Sequence, residues 1–257
     1  MSTPPAPAES PSSPHPSASV EVAPGLVVRG FAPPLRLADY RLVAFDMDST
    51  LISIECIDEI AAAVGRKTEV AAITEAAMRG EIADYAESLQ RRLALLRGVP
   101  MSALEAVWTE RLRLNPGVEA FVAACRAAGL KTLLVSGGFT FFSDRVRSLL
   151  GLDFARANEL HTEAGPDGPR LSGALVPQPW GTVVDGAMKR QTLLEVADLM
   201  RIAPALCIAV GDGANDLPMM QAAGLSIAFH AKPAVRAQAM IAVNEGGMDR
   251  ALQALYA

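Results

Sequence analysis

A doubly wound parallel α/β sheet with an inserted helical cap is predicted by three features of the 257-residue sequence. Short apolar runs alternate with helical patterns, the order that builds a parallel sheet with helices on both faces. Runs such as "TLLVS" (132–136) and "LSIAF" (225–229) are apolar on both sides, as strands buried on both faces must be. Between the first two runs, residues 56–115 hold far more helix than one crossover needs.

Residues 1–35 are expected to be a disordered tail. "MSTPPAPAESPSSPHPSASVEVAP" is rich in Pro, Ser and Ala, has no hydrophobic period and cannot bury enough surface to order itself. It has neither the basic nor the apolar region of a secretory signal. The α/β core is expected over 36–55 and 116–257, and the cap over 56–115.

"RLVAF" (41–45) is the first core strand. "ECIDEIAAAVG" then sets Ile57, Ile60, Ala61 and Val64 at helical spacing, with Gly65 as the stop. Helical patterns continue over 68–97. "SALE" (102–105) reads as a capping box opening a helix through Leu104, Val107, Trp108 and Leu112, and "NPG" (115–117) breaks the chain. Val118, Phe121, Val122 and Cys125 line the next helix, which ends at Gly129. After "TLLVS" a helix runs to Gly151, and "GPDGP" within 155–176 marks a hairpin or flap. A helix (187–201), "LCIAV" (206–210), a helix (216–223), "LSIAF", a helix (233–239), "MIAV" (240–243) and a last helix complete the alternation.

Hydrophobic residues make up 51% of the chain, enough for a sizeable core. No apolar run approaches the roughly 20 residues of a membrane span. The net charge is −5 and the 23 basic residues are scattered, so nucleic acid and acidic membranes are excluded as expected partners. A phosphorylated ligand therefore needs a local site. Cys56, Cys125 and Cys207 are isolated in apolar surroundings and fit a reducing cytoplasm, and the three His do not cluster.

Chemistry gathers at strand ends, where open α/β sheets bind ligands. In "FDMDST", Asp46 and Asp48 lie two apart after the first strand. Such a pair either caps a turn or points at one site, where one Asp can be a nucleophile and the other a general acid beside a divalent cation. In "VSGGF", Ser136, Gly137 and Gly138 offer a hydroxyl and backbone N–H groups to an anion, or form only a tight turn. In "GDGAND" (211–216), Asp212 and Asp216 suit oxygen ligation of Mg²⁺ or, for Asp216, a helix cap. Lys189, alone in "GAMKRQTL", reads as a solvated lysine.

The ordered set D-x-D-x-T, strand-end Ser, downstream Lys and G-D-G-x-N-D resembles the haloacid dehalogenase superfamily. "FDMDSTLISIECIDEIA", "VSGGF" and "VGDGANDLPMM" resemble its phosphoserine phosphatase family more narrowly, from about Arg36 to the C-terminus. The resemblance implies that Asp46 attacks phosphorus and forms an aspartyl-phosphate. It makes Asp48 the acid for the departing serine oxygen and then the base for water. It gives Mg²⁺ to Asp46, the backbone carbonyl of Asp48, and Asp212. Ser136, Gly137 and Lys189 would bind the phosphoryl group, Asn215 would orient it, and Asp216 would support from behind.

Glu55 matches the family acid that pairs with the substrate ammonium, and Arg92 in "ESLQRRLALL" the Arg that binds its carboxylate. Arg91 and Arg97 are expected in solvent. "MRGEIADYAES" is one residue longer than the family spacing from its Met to its aromatic, here Met78 and Tyr85, which hold apolar packing positions. The activity implied is Mg²⁺-dependent hydrolysis of O-phosphoserine, the last step of a serine biosynthesis route. The rivals are a related enzyme for another small phosphomonoester, such as phosphohomoserine, and a phosphate-binding regulatory protein without turnover.

Overall fold

The computed structural model describes residues 19–78, 81–82, 84–181 and 183–256. The chain opens with β1 (Ser19–Ala23) and β2 (Leu26–Arg29), an antiparallel hairpin. This corrects the expected tail. Val20, Val22, Leu26 and Val28 keep a strand alternation across the Pro24-Gly25 turn, with Gly25 at φ 69°, and Leu26 and Val28 are buried. The Pro/Ser content before them hid that short signal. The predicted disorder of residues 1–18 lies outside the described residues.

After β3 (Leu35–Arg36) comes β4 (Leu42–Phe45), whose four residues are all buried. Four helices follow: α1 (Cys56–Ala63), α2 (Lys67–Met78), α3 (Tyr85–Leu95) and α4 (Met101–Ala106). An antiparallel bridge between Ile52 and Leu114 closes this insertion where it leaves the core. The capping box at Ser102 is not formed. Pro100 begins the helix at φ −72° with no side-chain cap, which places Ser102 inside the first turn.

The core resumes with α5 (Val118–Ala127), β5 (Lys131–Phe139), α6 (Thr140–Leu150) and β6 (Phe154–Asn158). The expected flap is a separate hairpin of β7 (Leu160–Glu163) and β8 (Arg170–Leu175). It joins the insertion through Gly98 N–H to Leu171 O (2.8 Å), Leu171 N–H to Val99 O (2.8 Å) and Arg97 Nε to Ser172 O (2.9 Å). Then come α7 (Gly186–Leu199), β9 (Cys207–Gly211), α8 (Leu217–Ala222), β10 (Leu225–Phe229), α9 (Pro233–Arg236) and β11 (Ile241–Val243). The expected last helix is a run of 3₁₀ turns over Met248–Gln253, before β12 (Leu255–Tyr256) pairs with β3.

The main sheet has the order β1-β2-β11-β10-β9-β4-β5-β6. From β11 to β6 the strands are parallel, and β2 joins β11 antiparallel. In β4, Val43 and Phe45 enter the core on one face, where Phe45 meets Phe121 edge-on at 6.1 Å. Leu42 and Ala44 enter the core on the other face, with Leu193 and Met219. This is an α/β Rossmannoid sheet with a helical insertion. From β4 the chain moves outward to β5 and β6, then returns to β9 on the opposite side. The carboxyl ends of β4 and β9 therefore flank the switch point, where such sheets bind ligands. Among the described residues no helix is long and apolar enough to cross a membrane.

Candidate active site

Asp46 leaves the end of β4 with its N–H donating to Val210 O at 3.0 Å. The next turn, Met47–Leu51, is wound as a wide π-type turn with Ser49 at φ 57°, a left-handed conformation costly for a residue with a Cβ. Asn115 holds it: its Nδ2 donates to the carbonyls of Ser49 (3.1 Å), Thr50 (2.9 Å) and Ile52 (3.0 Å). The "NPG" break thus also supplies the clamp of the acidic loop.

Asp48 faces the start of α1, where Cys56 N–H donates to its Oδ2 at 3.3 Å. Its Oδ1 is buried and has no hydrogen-bond partner among the described residues. Burial and the nearby Glu55 push this carboxyl up to about 7. It therefore holds a proton near neutrality. Burial, then Asp48, raises the Cys56 thiol well above its ordinary range, which keeps it from being a thiolate nucleophile.

Lys189 is wholly buried, unlike the solvated lysine that its own stretch of sequence would give, and it stands at the acidic site where the resemblance puts it. Its ammonium lies 2.6 Å from Asp46 Oδ1 and 2.7 Å from Asp216 Oδ1. Burial would discharge it, but the carboxylates of Asp216 and Asp46 keep it firmly cationic. Asp216 Oδ2 also accepts from the N–H groups of Asp212 (3.1 Å) and Gly213 (3.0 Å). Asp212 Oδ1 accepts from Thr50 Oγ1 at 3.1 Å. Burial, then Asp216, pushes Asp212 up to about 6 and also raises Asp46, against the pull of Lys189.

Oxygens of Asp46, Asp212 and Asp216 lie within 4.8 Å of one another. Two buried carboxylates pair with one lysine and the partly buried Asp212 with none, so negative charge is left without compensation, and the donors are all hard oxygens. That set fits a divalent cation that takes oxygen ligands. Both oxygens of Asp216 are already engaged, which leaves Asp46 and Asp212 as the side chains with a free oxygen.

β5 bulges out of register with β6 between Val135 and Phe139, and the bulge is the Ser136-Gly137-Gly138 loop. Gly138 N–H donates to Ser136 Oγ at 2.9 Å, so the serine proton is left for another acceptor. Asn158, buried at the end of β6, donates to Gly137 O (2.8 Å) and accepts from Val184 N–H (2.9 Å). The sequence carried no signal for Asn158. Its role exists only because β6 ends beside the bulge.

These groups open onto a cavity of about 500 Å³ that also receives the insertion. Glu55 and Arg92 line it, with Asp58, Tyr85 and Ser88. Ser49 Oγ donates to Glu55 Oε1 at 2.7 Å, which ties the acidic loop to the start of α1. Tyr85, Ser88, Leu89 and Arg92 share one face of α3 by helical spacing. Arg91 points away and pairs with Glu87 at 2.5 Å, while Arg97 is exposed as expected and its Nε also holds the β7–β8 hairpin. Asn215 and Lys232 line the core side. Lys232, missed in the sequence, is exposed beside the acidic groups and has no ion-pair partner among the described residues. Lys189 does not line the cavity and meets it only through the carboxylates above it.

A buried acid pair at a switch point, roofed by a helical insertion, defines a hydrolase of the two-aspartate α/β type. The chain belongs to the haloacid dehalogenase-like hydrolases, a family it matches over residues 40–224. It is 62% identical over 239 residues to the phosphoserine phosphatase of Albidiferax ferrireducens, covering 93% of this chain and 98% of that one. A solved substrate-bound phosphoserine phosphatase superimposes with a TM-score of 0.75 at 35% identity, over 84% of this chain and 98% of that one. A phospho-aspartyl intermediate analogue of phosphoserine phosphatase gives the same TM-score and identity, over 84% and 99%.

Proposed function

We propose that the protein is a Mg²⁺-dependent phosphoserine phosphatase, which hydrolyses O-phosphoserine to serine and phosphate through an aspartyl-phosphate at Asp46. The observation that carries this reading is one cavity in which Asp46 and Asp48 face the Ser136 loop on one side and Glu55 and Arg92 on the other. Half of that constellation handles a phosphoryl group. The other half matches the amine and carboxylate of an amino acid.

The Ser136 hydroxyl and the Gly137 N–H donate to the phosphoryl oxygens. Lys189 holds the Asp46 carboxylate in place for attack on phosphorus, and its charge draws the phosphoryl group to the site. Asp48, protonated near neutrality, donates to the departing serine oxygen. As a carboxylate it then takes the proton of the water that cleaves the aspartyl-phosphate. Asn215 orients the phosphoryl group from the core side. Asp46, the backbone carbonyl of Asp48, and Asp212 would hold Mg²⁺, which when bound offsets charge between the carboxylates and the phosphate. Glu55 pairs with the substrate ammonium and Arg92 with its carboxylate, from a cap that we place over residues 56–115.

The test is phosphate release from O-phosphoserine with Mg²⁺, measured beside a panel of phosphomonoesters that includes phosphohomoserine. Preferred turnover of phosphoserine is expected. Preference for another monoester moves the substrate, and no release from any of them removes the enzyme reading.

A further inference from the structure

We infer that the phenol of Tyr85 is a phosphoryl-binding donor, delivered by α3 to the Ser136-Gly137-Gly138 loop. The inference rests on the phosphatase reading of this cavity and adds a residue to it.

Tyr85 is the first residue of α3, behind Asp84, whose Oδ1 accepts from Ala86 N–H at 3.0 Å and starts the helix there. From that position its ring reaches the core. A Cβ added at Gly137 would overlap the Tyr85 hydroxyl oxygen and come within 3.4 Å of Cζ, so the phenol rests directly on the glycine. Gly137 has no positive φ to require glycine. The close approach of the hydroxyl is what excludes a side chain there. Gly137 itself is fixed, because Asn158 holds its carbonyl at 2.8 Å.

The hydroxyl lines the cavity and has no hydrogen-bond partner among the described residues. An apolar ring at this place would need no hydroxyl, and the partly buried phenol opens its hydroxyl onto the cavity, where a ligand oxygen can replace water as its acceptor. A phosphoryl oxygen seated on the Ser136 loop supplies that partner. Burial raises the phenol above its ordinary range, so it remains a donor at working pH. Its task differs from that of Arg92 on the same face of α3. Arg92 reads the serine carboxylate, whereas Tyr85 touches what every phosphomonoester shares.

Tyr85→Phe removes only the hydroxyl. It is expected to lower kcat/KM about tenfold on both O-phosphoserine and p-nitrophenyl phosphate, and to weaken inhibition by inorganic phosphate about tenfold. Unchanged constants on both substrates overturn the inference, as does a loss confined to phosphoserine. The contact has its own test: Gly137→Ala is expected to weaken binding of inorganic phosphate, and Gly137→Ala/Tyr85→Phe to recover part of it. No recovery overturns the contact. If the wild-type protein releases phosphate from no monoester, the proposed function fails, and calorimetric titration of inorganic phosphate with Mg²⁺ into wild type and Tyr85→Phe still decides the role of Tyr85.

Discussion

Lys189 Nζ sits 2.6 Å from Asp46 Oδ1, the lysine wholly buried behind a carboxylate that opens onto the cavity. A buried ammonium survives there because Asp216 completes its pairing at 2.7 Å. Removing the cation leaves two carboxylates facing each other. Lys189→Met is therefore expected to lower stability by about 3 kcal/mol in urea denaturation. Lys189→Met/Asp216→Asn should recover part of the loss; additive losses in the double variant would show that the two residues are not coupled.

Asp48 earns its role only where the leaving group needs a proton. Asp48→Asn is expected to reduce kcat/KM on phosphoserine by about 10³-fold, and by no more than about tenfold on p-nitrophenyl phosphate. This ratio reports phosphoenzyme formation, because kcat/KM ends at the first irreversible step. Equal losses on the two esters would place the acid elsewhere. Asp46→Asn should abolish labelling of the protein by radioactive substrate.

Recognition of the serine moiety separates from the chemistry in the opposite direction. Glu55→Gln and Arg92→Ala should each cost about 10²-fold in kcat/KM on phosphoserine and leave the aryl ester near wild type. Matching losses on both esters would mean that the pair supports the site as a whole.

Lys232 stands exposed at a cavity whose other lining charges, apart from Arg92, are carboxylates. A dianionic substrate approaching that rim gains from one cation on the core side. Lys232→Gln should raise KM about threefold at 20 mM salt, with the difference gone at about 0.5 M. A KM that shifts equally at both ionic strengths would indicate direct contact in place of steering.

Asp153 gives a pH dependence that belongs to the fold alone. Although partial burial opposes it, the bond from Lys131 (2.6 Å) and those from Thr132 N–H and Oγ1 (2.9 Å each) hold its carboxyl below the ordinary value. A depressed folded-state value adds stability above the unfolded value of about 3.9, lost as pH falls through the folded one. Asp153→Asn should thus cost about 1 kcal/mol at pH 7 and progressively less below pH 4. A constant difference from pH 7 to pH 3 would contradict this.

What could be read before the structure was what covalent spacing carries. Asp46 and Asp48 are two residues apart after a run of buried apolar residues, so the chain itself delivers both to one strand end. Asp212 follows β9 for the same reason. Groups whose roles depend on distant chain meeting distant chain left no such trace. Asn115 clamps the carbonyls of Ser49, Thr50 and Ile52, and Asn158 anchors Gly137, from elements that only the folded sheet brings together. Lys189 was legible only through its place in the ordered motif set, because burial of a lysine depends on partners that lie 143 and 27 positions away. The β1–β2 hairpin was hidden for a local reason: its alternation is short and follows a Pro/Ser-rich run, and most of β1 is exposed.

The Ile52–Leu114 bridge gives the insertion a neck. Chain enters and leaves the roof of the cavity at a single paired point, so β4 and β5 keep their register whatever hangs between them. On the proposed function, the floor carries Asp46, Asp48 and the Ser136 loop, while the roof carries Arg92 and the Tyr85 hydroxyl. A short turn grafted across that neck would then remove selectivity and one phosphoryl donor together, and a different roof would turn the same floor toward another metabolite.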